Sequence, residues 1–262
     1  MSIFQICVLF LSAVLGGTLN SVAGGGSFFS FPALYLTGIP PIQANTTSTV
    51  ALWPGYIASV SAYRKELVKL KRVLLFILVG TSLLGGCIGA YLLLRTSQTI
   101  FVKLVPYLLL LATLLFAFSG PITARLRKRT EGSAQNEDKQ ITIASLIGIS
   151  VLQLIISIYG GYFGGGIGIM MLAALALIGM DDIHMMNALK TLLSASINGV
   201  AVIYFIAMGA VVWPQAIVMI VGAIVGGYGG AYYARKIEQK WIRTFVIVVG
   251  LSLTIYFFVR QL

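Results

Sequence analysis

Along the chain, long apolar stretches alternate with short polar ones at the spacing expected of helices that cross hydrocarbon. Runs long enough to span about 30 Å as helix occupy 3–23, 43–63, 73–94, 101–120, 141–159, 186–208, 213–234 and 242–260. Two shorter runs, 27–39 and 167–179, each follow a glycine triplet, Gly24-Gly25-Gly26 before Ser27 and Gly164-Gly165-Gly166 before Ile167. The run from Ser27 to Ile39 would extend only about 20 Å as helix, and Pro32 and Pro40-Pro41 interrupt or end it. Both short runs read as half-helices. The pattern predicts an all-α polytopic membrane protein.

Composition agrees with that class. Of the 262 residues, 58% are hydrophobic and 10% charged, whereas soluble globular chains are about a quarter charged. The first run lacks a basic flank and flows into the glycine motif, so it is read as retained structure rather than a cleaved signal. Cys7 and Cys87 lie inside apolar runs without ligand or redox spacing and read as buried small hydrophobes; neither a metal nor a disulfide is expected.

The formal net charge of +11 could suggest nucleic acid, but its placement argues otherwise. Fourteen of the 18 basic residues fall in three short loops, Arg64 to Arg72, Arg125 to Lys139 and Arg235 to Arg243. Arg95, Lys103 and Arg260 fall elsewhere. Such asymmetry marks the cytoplasmic side, so a lipid bilayer is the expected partner and nucleic acid is not. The hydrophilic stretch 121–140 reads as a cytoplasmic linker between transmembrane repeats at 1–120 and 141–262.

An internal repeat supports that division. At an offset of 140 to 142 the glycine triplets align, as do Gly38 with Gly179, Asn45 with Asn187, Thr49 with Thr191, and Gly89-Ala90-Tyr91 with Gly230-Ala231-Tyr232. Equivalent loops differ in charge: 64–72 carries five basic residues and 206–213 none. Equivalent loops therefore face opposite sides, which implies two inverted-topology repeats of about five segments each, an architecture common among secondary transporters.

Within this frame, two features carry candidate chemistry. Glycine-rich backbone at membrane depth is tolerated only where protein or a water-filled cavity satisfies it. Ser27 reads as an N-cap, so the half-helix starts would turn N–H groups and a positive dipole end toward a ligand space, suiting an anion. The alternative is that the glycines only let helices pack closely; for Gly85, Gly86, Gly89, Gly226, Gly227 and Gly230 that is the preferred reading. A phosphate loop is disfavoured because GxxxxGK[ST] is absent.

The second feature is a polar stripe. Asn187, Lys190, Thr191, Ser194 and Asn198 share one helix face, and the other half presents Asn45, Thr46, Thr47, Ser48 and Thr49. An ionisable group at membrane depth is a functional candidate. Lys190 could instead snorkel and pair with Asp181 or Asp182. One cation among hydroxyls and amides suits a small oxyanion. The candidate binding set is Gly24, Gly25, Gly26, Ser27, Asn45, Thr46, Ser48, Thr49, Gly164, Gly165, Gly166, Asn187, Lys190, Thr191 and Ser194. His184 reads as a solvated loop residue with pH sensing as the alternative. Trp53, Trp213 and Trp241 read as interfacial or packing aromatics. An intramembrane enzyme is disfavoured because the apolar runs lack Asp and Glu and offer no His or Cys pair.

Three stretches together carry a family resemblance: "AGGGSFFSFPALYLTGIPPIQANTTST" at 23–49, "GGYFGGGIGIMMLAALALIGMDDIHMMNALKTLLSASIN" at 160–198 and "GAIVGGYGGAYYARK" at 222–236. Over essentially its whole length the chain resembles the TauE/SafE family of sulfite-exporter-like membrane proteins. The resemblance implies export of sulfite or a related organosulfur anion across the bacterial cytoplasmic (inner) membrane, with no bound cofactor. A passive anion channel or export of a different small oxyanion stays open as the alternative, as does assembly into a homo-oligomer.

Overall fold

The computed structural model describes residues 1–22, 25–70, 72–132, 143–177, 180, 182–234 and 239–259. They form eleven helices: α1 (Ile3–Val22), α2 (Ser27–Leu36), α3 (Pro41–Ala62), α4 (Arg64–Leu67), α5 (Arg72–Arg95), α6 (Gln98–Gly132), α7 (Ile143–Tyr162), α8 (Ile167–Leu177), α9 (Ile183–Ala207), α10 (Trp213–Ala234) and α11 (Gln239–Val259). No strand occurs among the described residues. The long apolar runs become α1, α3, α5, α6, α7, α9, α10 and α11, and the two short runs become α2 and α8. Residues 121–132 continue α6 as helix, and 133–140 lie outside the described residues.

Four stretches, Ile3–Asn20, Arg72–Arg95, Gln98–Leu115 and His184–Ala207, are long and apolar enough to cross a membrane. The outer surface fits that setting: Tyr228, Ile3 and Phe76 are 90%, 82% and 78% exposed, with many Leu, Ile and Val beside them. Water would penalise so much contiguous apolar surface, and lipid does not. Cys7 and Cys87 belong to this exposed surface, which corrects the expectation that they are buried. An apolar run reports depth in the membrane and not which face of the helix turns outward; a thiol meets lipid at little cost.

Hydrogen bonds show how helix ends gather. Gln5 Nε2 donates to the Thr37 carbonyl, joining the start of α1 to the end of α2. Gln98 Oε1 accepts the Ile42 N–H, joining the starts of α3 and α6. Tyr162 donates its hydroxyl proton to Thr96, joining the ends of α7 and α5. Thr47 Oγ1 accepts the Val212 N–H, joining the start of α3 to the turn before α10. All these termini share one end of the bundle, so α1 runs away from it and α7 runs toward it. Exposed Arg64, Lys65, Lys69 and Arg72 mark the opposite, basic end.

α2 is a return segment. Its ten residues rise about 15 Å, from Gly26 beside Gly16 and Asn20 of α1 back to the end where α1 begins. Two sequence expectations change here. Ser27 is the first helical residue and Gly26 occupies the cap position, with no side-chain cap bond. Pro32 lies inside α2 without ending it. The end comes instead at Gly38, whose φ of +93° permits the Ile39 N–H to reach the Leu34 carbonyl at 3.2 Å, the Schellman closure.

Pairs of helices meet at small residues. α1 lies along α10, α5 along α7, and α3 crosses α9. A Cβ at Gly226 would overlap the Val14 carbonyl oxygen, and one at Gly89 would overlap that of Ile158. Thr18 reinforces the first contact by donating to the Gly226 carbonyl at 3.0 Å. In lipid, where apolar surface alone does not drive helices together, such backbone approach and cross-helix bonding supply the association.

Gly226→Ala should therefore destabilise the protein by at least about 1–3 kcal/mol. Gly80→Ala should be neutral or slightly stabilising, because nothing lies within 4 Å of its Cβ position and alanine is the better helix former. Thermal unfolding of both variants in the same detergent separates these outcomes.

Candidate functional site

The glycine triplets bend the chain back rather than continuing a helix. Gly25, Gly164 and Gly166 have φ of +108°, +80° and +78°, the left-handed region that favours glycine. Gly24 lies outside the described residues. Gly25, Gly26, Gly164, Gly165 and Gly166 are all buried. Packing accounts for most of them: a Cβ at Gly26 would overlap the Gly16 carbonyl, one at Gly165 would lie 2.9 Å from Phe163, and one at Gly166 3.2 Å from Ala112 of α6. The Tyr159 hydroxyl, donating to the Gly165 carbonyl at 2.8 Å, holds the second turn.

Gly164 differs. Its Cβ position is 3.8 Å from Asn198 Oδ1 and 4.0 Å from Ser27 Oγ. The first glycine motif, the second and the far end of the α9 stripe thus meet at one polar junction. α2 and α3 extend it: Ser30 and Ser48 share a 2.5 Å hydrogen bond, both fully enclosed, and Asn45 donates from Nδ2 to the Tyr162 carbonyl at 3.0 Å. Sequence separates Ser27 from Gly164 by 137 residues and Asn45 from Tyr162 by 117; tertiary packing of the two halves unites them.

Lys190 lies apart from that junction. Eight residues, about 12 Å along α9, separate it from Asn198, and helical side chains lean toward the N-terminus. Its Nζ accordingly donates to Asn187 Oδ1 at 3.1 Å while only 8% of the residue is exposed. Asp182, one of the two carboxylates considered as its counter-ion, is occupied otherwise: Oδ1 accepts the His184 and Met185 N–H groups and caps α9. Asp181 lies outside the described residues, among which no carboxylate pairs with Lys190. His184 is exposed and Trp53 donates Nε1–H to the Ala195 carbonyl, as a packing aromatic would; the Trp241 side chain lies outside the described residues.

Anion binding needs N–H or O–H donors with their protons free, and this test divides the stripe. Thr49 and Thr191 each bond back to the carbonyl four residues earlier, Asn45 and Asn187 respectively, which satisfies a hydroxyl inside an apolar helix but uses its only proton. Thr46 gives its proton to the Ala210 or Gln43 carbonyl and so ties α3 to the turn before α10. Ser194 is directed at the Met171 sulfur at 3.6 Å, a weak acceptor. Asn198 uses one N–H on the Ser194 carbonyl. The remaining donor capacity is two N–H bonds on Lys190, the Nδ2 group of Asn187, one N–H each on Asn45 and Asn198, and Ser27; the Ser30–Ser48 pair has acceptors for both of its protons, since Ser30 also reaches the Gly26 carbonyl at 3.2 Å.

Residues absent from the sequence expectation also belong here. Ser30, Tyr159 and Tyr162 carry bonds at the junction, and Asn20 holds the Gly26 N–H at 2.8 Å. A polar residue four positions before the first triplet was the available signal for Asn20. Away from the junction, Gln153, Ser82 and Ser157 form a buried polar cluster joining α5 to α7, with Gln153 Nε2 at 2.8 Å from Ser82. A groove of about 410 Å³ lined by Leu36, Val248, Leu253 and neighbours opens on the outer face of α2 and α11 and includes none of these groups.

The fold is that of a multi-pass helical membrane protein with a buried polar junction and an enclosed lysine. A family model described as "Sulfite exporter TauE/SafE" matches residues 9–257, and the chain belongs to that family. It is 28% identical over 251 residues to a "Probable membrane transporter protein" of Haemophilus influenzae, covering 95% of this chain and 92% of that protein. It is 27% identical to "Probable membrane transporter protein ORF9" of a Sinorhizobium species, covering 95% and 91%. YfcA of Escherichia coli K12, also named a probable membrane transporter, is 27% identical over 93% of this chain and 86% of its own length. No solved structure matches the chain.

Gly164→Ala tests the junction. The substitution strains the φ of +80° and adds a methyl between Asn198 and Ser27, so anion flux should fall at least about tenfold, equivalent to 1.4 kcal/mol. Gly148→Ala, whose Cβ meets nothing within 4 Å, should leave flux unchanged in the same liposome measurement.

Proposed function

We propose that this chain is a secondary transporter that exports sulfite or a related small sulfur-containing anion, such as a sulfonate, across the bacterial cytoplasmic membrane by alternating access. The observation that carries the reading is Lys190: an enclosed ammonium in a membrane helix, with two of its N–H bonds uncommitted and only a neutral partner. Burying such a charge is expensive unless it serves a counter-charge. An oxyanion supplies one. The family description, sulfite exporter, names the same class of solute.

In this reading the anion passes between Lys190 and Asn187 toward the basic end and the Ser27–Gly164–Asn198 junction toward the other. Lys190 supplies charge, and the uncommitted amide N–H groups and Ser27 supply directional donors to oxygens. The two glycine turns let half-helix starts approach from opposite halves of the chain. Alternating access is supported by the helix pairing. Exchanging residues 1–120 with 141–262 converts α1–α10 into α7–α5, α3–α10 into α9–α5 and α2–α11 into α8–α6, while α3–α9 and α6–α11 map onto themselves. Together with the opposite directions of α1 and α7, that pairing favours an inverted repeat, whose halves can rock about the α3–α9 crossing.

Two measurements test this. In proteoliposomes, Lys190→Ala should lower sulfite flux at least about tenfold; binding and flux like wild type would remove Lys190 from the site. For topology, cysteines introduced singly as Lys65→Cys and Gly209→Cys, after Cys7 and Cys87 are changed to alanine, should react with a membrane-impermeant maleimide from opposite sides. Labelling of both from one side would sink the inverted arrangement.

A further inference from the structure

Asn20 sits in the last turn of α1, against the first glycine turn. Its Oδ1 accepts the Gly26 N–H at 2.8 Å and the Tyr56 hydroxyl at 3.4 Å. Two donors converging on one atom identify that end of the carboxamide as oxygen, so the NH2 occupies the other end. That Nδ2 is closed off by surrounding atoms and has no hydrogen-bond partner among the described residues. Its lodging is tight: a Cβ at Gly26 would lie 2.9 Å from both Cγ and Oδ1 of Asn20.

An enclosed amide nitrogen with both N–H bonds empty is destabilising, and the membrane helices around it show the usual escape, a hydroxyl bonded back to its own helix, as in Ser12 and Ser59. An asparagine held by its oxygen cannot take that escape. The missing partner must be an acceptor. A cation is excluded, because N–H groups repel it. A side-chain carboxylate of the surrounding helices is excluded too, since α1, α2 and α3 contain no Asp or Glu. An acceptor from outside the chain, a buried water or a solute oxygen, would fill the place. The turn that Asn20 holds leads directly into Ser27, which faces Gly164 at the junction.

We propose that Asn20 is a substrate-binding residue of this transporter, donating from Nδ2 to an oxygen of the transported oxyanion at the first glycine turn, with Tyr56 and Gly26 fixing its orientation. The assignment rests on the transport reading above and adds to it a donor that lies on α1, outside the α3 and α9 stripes. Neutral donors of this kind recognise a sulfur oxyanion by its oxygens, and Asn20 favours solutes that present an unprotonated oxygen there.

The test uses the full-length protein in proteoliposomes with sulfite as the probe. Asn20→Asp keeps an acceptor for Gly26 and Tyr56 and replaces the NH2 by a charged oxygen. It should raise the KM for sulfite about tenfold or more and abolish the upward shift in Tm that sulfite gives the wild type. A purely structural role would lower the Tm of the sulfite-free protein and leave KM unchanged. Tyr56→Phe, which removes one hold on Oδ1 and disturbs the fold least, should raise KM by about two- to tenfold. Unchanged KM in both variants, with wild-type flux present, overturns the role of Asn20 alone. A wild type that moves neither sulfite nor a small sulfonate overturns the transport reading and the role of Asn20 with it.

Discussion

Backbone-to-backbone contact between α1 and α10, and between α5 and α7, is the constraint on which the rest of the molecule depends. At Gly226 the Val14 carbonyl lies where a side chain would begin, and at Gly161 the Gly86 carbonyl does the same. In a bilayer the apolar faces of helices gain nothing by leaving lipid, so close approach of this kind is what holds the bundle together. Each of the two contacts joins a helix from the first half of the chain to one from the second. Loosening either would separate the elements that carry the glycine turns.

Once these pairs are locked, the interior can contain groups that a bilayer does not otherwise tolerate. α2 and α8 are too short to cross, and the turns before them expose backbone that must be satisfied by protein. Asn20 does this for Gly26 and Tyr159 for Gly165. The same packing encloses the serines and amides of the junction, where low dielectric strengthens every hydrogen bond and makes each unfilled donor costly. Enclosure thus raises the cost of every unfilled donor and makes each of these polar residues depend on its partners.

The two ends of the polar path differ in chemistry. Toward the basic end, Lys190 offers charge, backed by Asn187; toward the other, only neutral donors meet at Gly164. Most hydroxyls of the α3 and α9 stripes are committed to acceptors within the protein, so polarity along a helix face is a poor measure of binding capacity here. Thr49 and Thr191 are polar and have no proton left to give.

The sequence by itself determined the membrane class, the approximate helix spans, the two short segments and the face shared by Asn187, Lys190, Thr191, Ser194 and Asn198. These follow from chain-local physics: the thickness of hydrocarbon sets run length, and the period of the helix sets which side chains share a face. Tertiary structure alone decided what each polar group touches. Thr46 reaching Ala210, Asn45 reaching Tyr162, and Ser27 approaching Gly164 all depend on how α2, α3 and α9 cross. The same holds for the outward turn of Cys7 and Cys87 and for the carboxamide of Asn20 caught between Gly26 and Tyr56. Hydrophobic spacing encodes depth and periodicity, but a hydrogen bond needs two atoms within about 3 Å, and partners far apart in the chain come that close only when the helices have packed.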